Sequence, residues 1–393
     1  MKGAVATGAG LSALGGVTQV AQAQGAPTVK PGEKVPRTKL GTTGAEIPIL
    51  LMGGSQTFDP QYDKTLHRAF QLGVNYIDTA EMYAGGQSQR TIAPFIKQVG
   101  DRKKLWITSK VALYGHKATP ANYKTRLDGC LDTLGTDYLD MFFMHMINDE
   151  KMLDPEFIKM GADIKKSGKA NFFGFSCHHG NVPELLEKAA RVGGIDAIMF
   201  RYSFRQYGDV KLNKAIDACH KAGIGLIAMK TQASVPNDQE NVVKFKSKDF
   251  TLGQAKLKAV WADERINAAV SQMSNVQLVM ENAAAAISPV QLSMNEFMQL
   301  NRLAAMTAAY HCTGCNHICE AKVAGKLRIA DALRYLMYDE SYGDPETARL
   351  LYNALDPEER YHDGMDLTEA IKACPQGIQI DQRLAKARRL LTV

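Results

Sequence analysis

The sequence repeats one pattern from about Thr38 to Pro289: a short apolar run, followed by a stretch in which apolar residues recur at helical spacing. The first four runs are rich in Val, Ile, Leu, Phe and Tyr and nearly unbroken, which is typical of parallel strands buried on both faces. Eight such units in about 250 residues predict an α/β fold, a (β/α)8 TIM barrel. The predicted strands are Ile47–Met52, Val74–Asp78, Leu105–Lys110, Tyr138–His145, Ala170–Ser176, Ile195–Phe200, Gly225–Met229 and Ala268–Ser271.

An open, doubly wound sheet is the alternative to a barrel. Its nucleotide site needs a glycine-rich fingerprint after the first strand, and none follows Ile47–Met52. Helices are predicted at Pro60–Leu72 and Pro120–Leu134, between strands, and at Met294–Ala309, beyond the last strand. The pattern therefore favours the closed barrel.

Composition divides the chain into three predicted segments: a leader and linker (1–37), the barrel (38–290) and a small helical C-terminal domain that contains cysteines (291–393). Of the 393 residues, 45% are hydrophobic and 22% are charged, which excludes disorder, collagen-like repeats and coiled coils as the main content. The net charge of +6 is compatible with anionic ligands. Because no stripe of Lys and Arg interleaves with aromatic residues, we expect no nucleic-acid partner.

The first 26 residues carry almost no charge beyond Lys2, and Gly and Ala dominate them. They are too weakly apolar to predict a stable membrane span, and no other segment predicts one. Ala21-Gln22-Ala23 fits the small-residue cleavage pattern of a secretory signal. The composition is similar to a twin-arginine export signal, although the Arg pair is absent. We therefore expect export to the periplasm, with a disordered tail and a cytoplasmic location as the alternatives.

Ionisable residues stand at the ends of three consecutive predicted strands, where a TIM barrel builds its active site. They are Asp78, Lys110 and His145, and Tyr83 follows Asp78 by five residues. An ammonium beside a tyrosine favours the phenolate and lowers the tyrosine pKa, so we expect Lys110 to act on Tyr83 and Asp78 to orient Lys110. His145 would donate to a substrate oxygen. Together these residues could provide the general acid/base catalysis needed to reduce a carbonyl or oxidise an alcohol.

Taken singly, Asp78 and Lys110 could form a structural ion pair, and His145 could be a core histidine. Together the residues resemble those of aldo-keto reductases. The matching segments are Val74–Tyr83, Ile107–Lys110 and Tyr138–His145, and the resemblance covers about residues 38–288. It implies a barrel that binds NADPH, or NADH, without a Rossmann motif. Hydride would pass between the nicotinamide and a carbonyl or alcohol substrate, a sugar being one candidate, with Tyr83 as the acid/base.

The resemblance also implies which residues contact the cofactor: Ser176, Met229, Lys230, Ser274, Asn275, Glu281 and Asn282. The chain departs from the family at three places. Met199 replaces a glutamine at the end of strand 6, Met229-Lys230 replaces a stacking tyrosine after strand 7, and Leu278 replaces a Gln or Arg. These departures favour an alternative, a barrel with impaired nicotinamide binding that acts as an iron–sulfur electron-transfer or binding protein. Export suggests a third interpretation, a sugar oxidoreductase whose cofactor is never released, because free NADPH is scarce outside the cytoplasm.

Four cysteines in the C-terminal segment have ligand-like spacing. Cys312, Cys315 and Cys319 form Cys-x2-Cys-x3-Cys, and 54 residues separate Cys319 from Cys374, which is followed by Pro375. Such thiolates can converge on one soft metal centre. The spacing and the Cys-Pro pair resemble ferredoxin ligation, and several aldo-keto reductases carry a ferredoxin-like tail. We therefore predict a [4Fe–4S] cluster, structural or serving an electron-transfer partner.

Zinc, disulfides and free thiols are the other interpretations of the four C-terminal cysteines. The three remaining cysteines lie within the predicted barrel and lack ligand spacing. Cys130 and Cys219 are expected to be helix packing residues, whereas Cys177 lies near the expected cofactor.

Overall fold

The computed structural model describes residues 26–113 and 115–393. The predicted cleavage pattern at Ala21–Ala23 lies outside these residues. The first described elements are β1 (Arg37–Lys39) and β2 (Glu46–Pro48), which pair antiparallel. Ile47 on β2 packs into the barrel interior near the start of the strands. The hairpin therefore closes the end of the barrel opposite the predicted active site.

Eight parallel strands form a closed barrel, as predicted, and exclude the open sheet. Their order around the barrel follows the chain, with the last strand hydrogen-bonded to the first. The first predicted run is divided, because Ile47 belongs to the hairpin and the barrel strand begins only at Leu50. The barrel strands are β3 (Leu50–Gly53), β4 (Tyr76–Asp78), β5 (Trp106–Val111), β6 (Leu139–Met144), β7 (Ala170–Cys177), β8 (Ala197–Arg201), β9 (Gly225–Met229) and β10 (Ala268–Gln272).

Helices pack around the strands and begin and end where local sequence signals place them. The predicted helix Pro120–Leu134 is confirmed: the Thr119 hydroxyl accepts from the Asn122 N–H at its start, and Gly135 ends it in the left-handed region (φ 64°). These helices are α1 (Lys64–Gln71), α2 (Gln87–Val99), α3 (Pro120–Leu134), α4 (Pro155–Lys166), α5 (Val182–Val192), α6 (Val210–Lys221), the short α7 (Asn237–Glu240), α8 (Leu252–Trp261) and α9 (Val276–Ile287).

The C-terminal segment contributes to two separate cores. Helix α10 (Met294–Met306) packs on the barrel, where Leu300 and Leu303 join a cluster with Phe204 and Phe250. A second core extends from Cys319 to Leu391. Its helices are α11 (Asn316–Cys319), α12 (Ile329–Tyr342), α13 (Pro345–Asn353), α14 (Thr368–Ala373) and α15 (Ile380–Leu391). No helix within the described ranges is long and apolar enough to cross a membrane.

Candidate active site

The four predicted catalytic side chains meet at the carboxyl ends of β4, β5 and β6. Lys110 Nζ donates to Asp78 Oδ2 at 2.7 Å, to the Thr79 carbonyl at 2.7 Å and to the Tyr83 hydroxyl at 3.3 Å. Lys110 and Asp78 are almost fully buried, at 1% and 3% exposure. A buried ammonium without partners would be costly, so these contacts hold Lys110 in one position.

Tyr83 and His145 lie side by side over this ion pair. Tyr83 opens a short 3-10 turn after β4, in which Ala84 adopts a left-handed backbone (φ 50°). The ring of His145 meets the edge of the Tyr83 ring at 5.4 Å between centroids. His145 is held by its backbone N–H, which donates to the Val111 carbonyl at 2.7 Å, while its Nδ1 has no hydrogen-bond partner among the described residues. One ring nitrogen of His145 therefore has no protein partner in the described part of the molecule.

The expectation that Lys110 lowers the pKa of Tyr83 is wrong for this structure. Burial, the Asp78 carboxylate and Tyr338 together raise the pKa of Tyr83 well above its usual value. Burial, reinforced by Lys110 and two further cations, Arg334 and Lys230, lowers the pKa of His145 well below its usual value. Both side chains are therefore neutral near pH 7, with Tyr83 holding its proton.

Helix α12 covers this site, a position that the sequence patterns did not predict. The Lys230 ammonium, at the end of β9, donates to the Tyr338 hydroxyl at 3.2 Å and lies 4.9 Å from the centre of its ring. Tyr338 and Arg334 on α12 also act on Tyr83 and His145, respectively, through their charges. No local signal marks these residues, because α12 lies far from the barrel strands in sequence.

Three of the predicted cofactor residues lie at the carboxyl ends of barrel strands: Ser176, Met229 and Lys230. Ser176, on β7, is buried, and its hydroxyl accepts from the Met146 N–H at 3.0 Å. Met229 and Lys230 end β9, and Lys230 is already bonded to Tyr338. Met199, which replaces the family glutamine, is 1% exposed and packs in the barrel interior.

The other predicted cofactor residues lie around the start of α9. Ser274 and Asn275 are exposed, and the Asn275 side chain accepts from the Leu278 N–H at 2.9 Å. The Glu281 carboxylate accepts from Gln277, and the buried Asn282 donates to the Ser271 hydroxyl at 3.1 Å. This exposed helix N-terminus offers free N–H groups to a phosphate, which fits the predicted adenine end of a nicotinamide cofactor.

The four C-terminal cysteines line one apolar cavity, together with Ile329, Leu333, Ile378 and Ile380. The Gly314 N–H donates to Cys312 Sγ at 3.4 Å. The loop that bears these cysteines lies directly on the barrel: a Cβ at Gly180, after β7, would meet the Cys315 Cα at 2.6 Å. The structure therefore brings the distant Cys374 to the same cavity as the three closely spaced cysteines.

The C-terminal cysteines are not bonded to one another. None of the seven cysteines, all within the described ranges, forms a disulfide. Burial raises the pKa of Cys312 to about 11 and that of Cys319 to about 12. Within the described part of the chain, no group of three or more His, Cys, Asp and Glu side chains is arranged to hold a metal ion. Cys130, Cys177 and Cys219 are buried in the barrel core.

Comparison with known proteins identifies the barrel. The model of the aldo/keto reductase family matches residues 50–235. The L-galactose dehydrogenase of Arabidopsis thaliana is 24% identical over 295 residues, which is 67% of this chain and 92% of that protein. Over residues 50–235, a little under half of the chain, the barrel is therefore similar to the aldo/keto reductase family. These similarities support an NAD(P)H-dependent oxidoreductase.

Solved structures of aldo/keto reductases share the fold. One from Bacillus halodurans superposes with a TM-score of 0.58 at 20% identity, covering 68% of this chain and 96% of its own. One from Klebsiella pneumoniae, solved with NADPH, gives 0.55 at 23% identity, covering 69% and 95%. The family match ends at residue 235, so α12 with Tyr338 and Arg334 lies beyond it. The residues of α12 that cover the candidate site therefore lie outside the segment that resembles the family.

Proposed function

We propose that the chain transfers a hydride between NADPH and a carbonyl or alcohol substrate, with Tyr83 as the acid/base. The observation that supports this function is the contact of Lys110 with both Asp78 and the Tyr83 hydroxyl, beside His145. NADPH, when bound, supplies the hydride. Ser176 and the residues around the start of α9 would hold it, as the free N–H groups and exposed side chains there suit a nucleotide phosphate.

The protein's own residues then manage the proton. In reduction, the Tyr83 O–H bond breaks and its proton moves to the carbonyl oxygen as the carbonyl carbon gains the hydride. The raised pKa of Tyr83 keeps this proton in place until that step. Lys110, 3.3 Å away, then stabilises the phenolate that remains. His145 is neutral and carries one N–H, so it can donate to the same carbonyl oxygen and position it.

A titration of NADPH fluorescence with the purified full chain tests this proposal. We expect saturable binding, together with oxidation of NADPH when a carbonyl substrate is added. The same titration with NADH gives the cofactor preference. A nucleotide released only when the protein is denatured would instead show a tightly held cofactor, which an exported sugar oxidoreductase would need.

A second candidate function is favoured by the position of α12. Because Tyr338 already binds Lys230, the end of β9 that would meet the nicotinamide is occupied. The barrel would then serve as an iron–sulfur electron-transfer or binding protein with a protein redox partner. Absence of any saturable NADPH or NADH binding by correctly folded protein would favour this function over the first.

We further propose that Cys312, Cys315, Cys319 and Cys374 hold a [4Fe–4S] cluster. The shared apolar cavity, the soft thiol donors and the N–H that Gly314 directs at Cys312 support this proposal. The thiols would have to draw together as ligands, since the described side chains are not arranged to hold a metal ion. A cluster bound here would supply one-electron chemistry or structural support. Zinc on the same four cysteines is the alternative.

Iron, zinc and acid-labile sulfide analysis of anaerobically purified protein distinguishes these two sites. We expect iron and sulfide, with visible absorption that bleaches on reduction, in the wild type and in a Cys219→Ser control. A Cys374→Ser variant should lose most of both. Zinc without sulfide would show a structural zinc site in place of the cluster. The absence of both iron and zinc would overturn both proposals.

Export is proposed from the leader sequence. Residues 1–37 fused to a reporter that is active only outside the cytoplasm should give activity, whereas the fusion that begins at residue 24 should not. Equal activity of the two fusions would contradict export.

A further inference from the structure

A cavity of about 50 Å³ lies between the carboxyl ends of the barrel strands and the C-terminal helices. Its walls come from the loop after β7, from the ends of β8 and β9, from α12 and from the start of the cysteine loop. Four of its residues, Cys312, Ala330, Leu333 and Ile378, also line the cysteine cavity. It is therefore enclosed by both the barrel and the C-terminal segment.

The walls of this cavity are strongly cationic. Arg201, Lys230, Arg334 and Arg383 line it, and no Asp or Glu does. Two of these cations are neutralised from outside the cavity: Arg334 pairs with Asp331 at 2.5 Å, and Arg383 pairs with Glu340 at 2.5 Å. The other two, Arg201 and Lys230, form no ion pair with any described carboxylate.

Arg201 is the least satisfied of these groups. One guanidinium nitrogen donates to the Thr313 carbonyl, but the buried Nε has no hydrogen-bond partner among the described residues. A buried charged group with an unused donor is unfavourable unless something binds it. A guanidinium matches a carboxylate or another planar or tetrahedral oxyanion, to which it can donate more than one hydrogen bond.

The cavity is electrostatically connected to the catalytic residues. Lys230 and Arg334 are close enough to contribute to the low pKa of the catalytic His145. Lys230 also bonds to Tyr338, which in turn acts on Tyr83. His145 and Tyr83 do not line the cavity, but an anion there would bind cations that act on His145 and, through Tyr338, on Tyr83.

We propose that this cavity binds a compact anionic group of the substrate, so that the substrates are oxo acids and the corresponding hydroxy acids. This inference deepens the proposed function and rests on it for the identity of the ligand as substrate. The cavity has room for a few water-sized groups, which suits a carboxylate and not a dinucleotide. The phosphates of the cofactor have a separate candidate site at the N-terminus of α9.

Calorimetric titration of the full chain with oxalate, and with neutral oxamide as the matched probe, tests the anion site without requiring turnover. We expect oxalate to bind at least about tenfold more tightly than oxamide, because charge-assisted hydrogen bonds to arginine supply that difference. Arg201→Gln should abolish the preference, and Arg201→Lys should retain part of it. Lys211→Gln, which removes an exposed lysine on α6, should leave it unchanged. Equal binding of the two probes, or a preference that Arg201→Gln does not alter, would overturn the proposal.

Two further measurements separate this inference from the proposed function. Oxalate and NADPH should bind together, since they occupy different sites. Competition between them would reassign the anion to a cofactor phosphate and overturn the substrate assignment. In turnover, glyoxylate should be preferred over neutral glycolaldehyde, and Arg201→Gln should reduce that preference about tenfold or more. Oxalate binding without turnover of any carbonyl compound would uphold the anion site and refute the proposed function. Turnover with no preference for glyoxylate over glycolaldehyde would uphold the proposed function and refute the anion site.

Discussion

Two lysine–tyrosine pairs of nearly the same geometry face the active site from opposite sides. In the barrel, Lys110 Nζ lies 3.3 Å from the Tyr83 hydroxyl and 4.6 Å from its ring centre. Between the barrel and α12, Lys230 Nζ lies 3.2 Å from the Tyr338 hydroxyl and 4.9 Å from its ring centre. The contact itself therefore does not distinguish the two tyrosines.

What differs is the compensation of the lysine charge. Lys110 is bonded to Asp78, whose negative charge, with burial, raises the pKa of Tyr83. Lys230 has no such carboxylate among the described residues. Burial opposes ionisation of Tyr338 as well, but Lys230 and Arg334 outweigh it and lower its pKa. The comparison teaches that burial together with all nearby charges, and not the contact with one lysine, decides whether a tyrosine keeps its proton.

The largest expected effect is a difference in kcat between variants of the two tyrosines, Tyr83 and Tyr338. Tyr83→Phe should lower kcat by about 10²–10⁴-fold, because it removes the proton donor. Tyr338→Phe should lower kcat less than about tenfold, since it removes one hydrogen bond outside the proton transfer. Steady-state kinetics measure both, with Tyr352→Phe in the C-terminal core as the control. An equal loss in both variants would show that the two tyrosines share the chemistry.

Asp78→Asn should make the first pair resemble the second. Without the carboxylate, the pKa of Tyr83 should fall, so the rate of reduction should decline at a lower pH than in the wild type. Leaving Lys110 buried without its partner should also cost about 3–5 kcal/mol of the free energy of unfolding. Kinetics against pH and denaturant titration measure these effects. An alkaline limb at the same pH in both proteins would show that Asp78 does not control Tyr83.

Acid sensitivity is expected at the boundary between the barrel and the C-terminal segment. Burial lowers the pKa of His179 to about 4 and that of His311 to about 3, from 6.5. The unfolded chain therefore takes up these protons first, so stability is full above pH 6.5 and is lost as the pH falls toward 3–4. His311→Gln should remove about 5 kcal/mol of this loss at pH 3, given about 1.4 kcal/mol per pKa unit. Denaturant titrations at several pH values check it, and an unchanged pH dependence would contradict it.

The smallest expected effect concerns the second pair alone. In Lys230→Met the pKa of Tyr338 should rise, because its nearest cation is gone. Ultraviolet difference spectra during alkaline titration should then show one tyrosine that ionises later than in the wild type. Lys211→Met is the matched control. A titration identical to that of the wild type would show that Lys230 does not stabilise the Tyr338 phenolate.

Much of the barrel and its tetrad could be predicted from sequence. The first four predicted strands are nearly unbroken apolar runs, so an ionisable residue at or near the end of a strand is conspicuous, as Asp78 and Lys110 show. Because parallel strands of a barrel end at one rim, those residues had to meet. The hairpin strand β2 was missed, since Ile47 is as apolar as the barrel strand that follows it.

By itself, the sequence determined the eight strands, the tetrad at their ends and the ligand-like spacing of the C-terminal cysteines, because each depends on residues close together in the chain. Only the tertiary structure decided that α12 roofs the site and that Arg201 and Lys230 line a cationic cavity there. It also decided the pKa of Tyr83, which sequence reasoning placed in the wrong direction. The physical reason is that burial and long-range charge depend on which distant segment packs over a residue, and no local pattern records that choice.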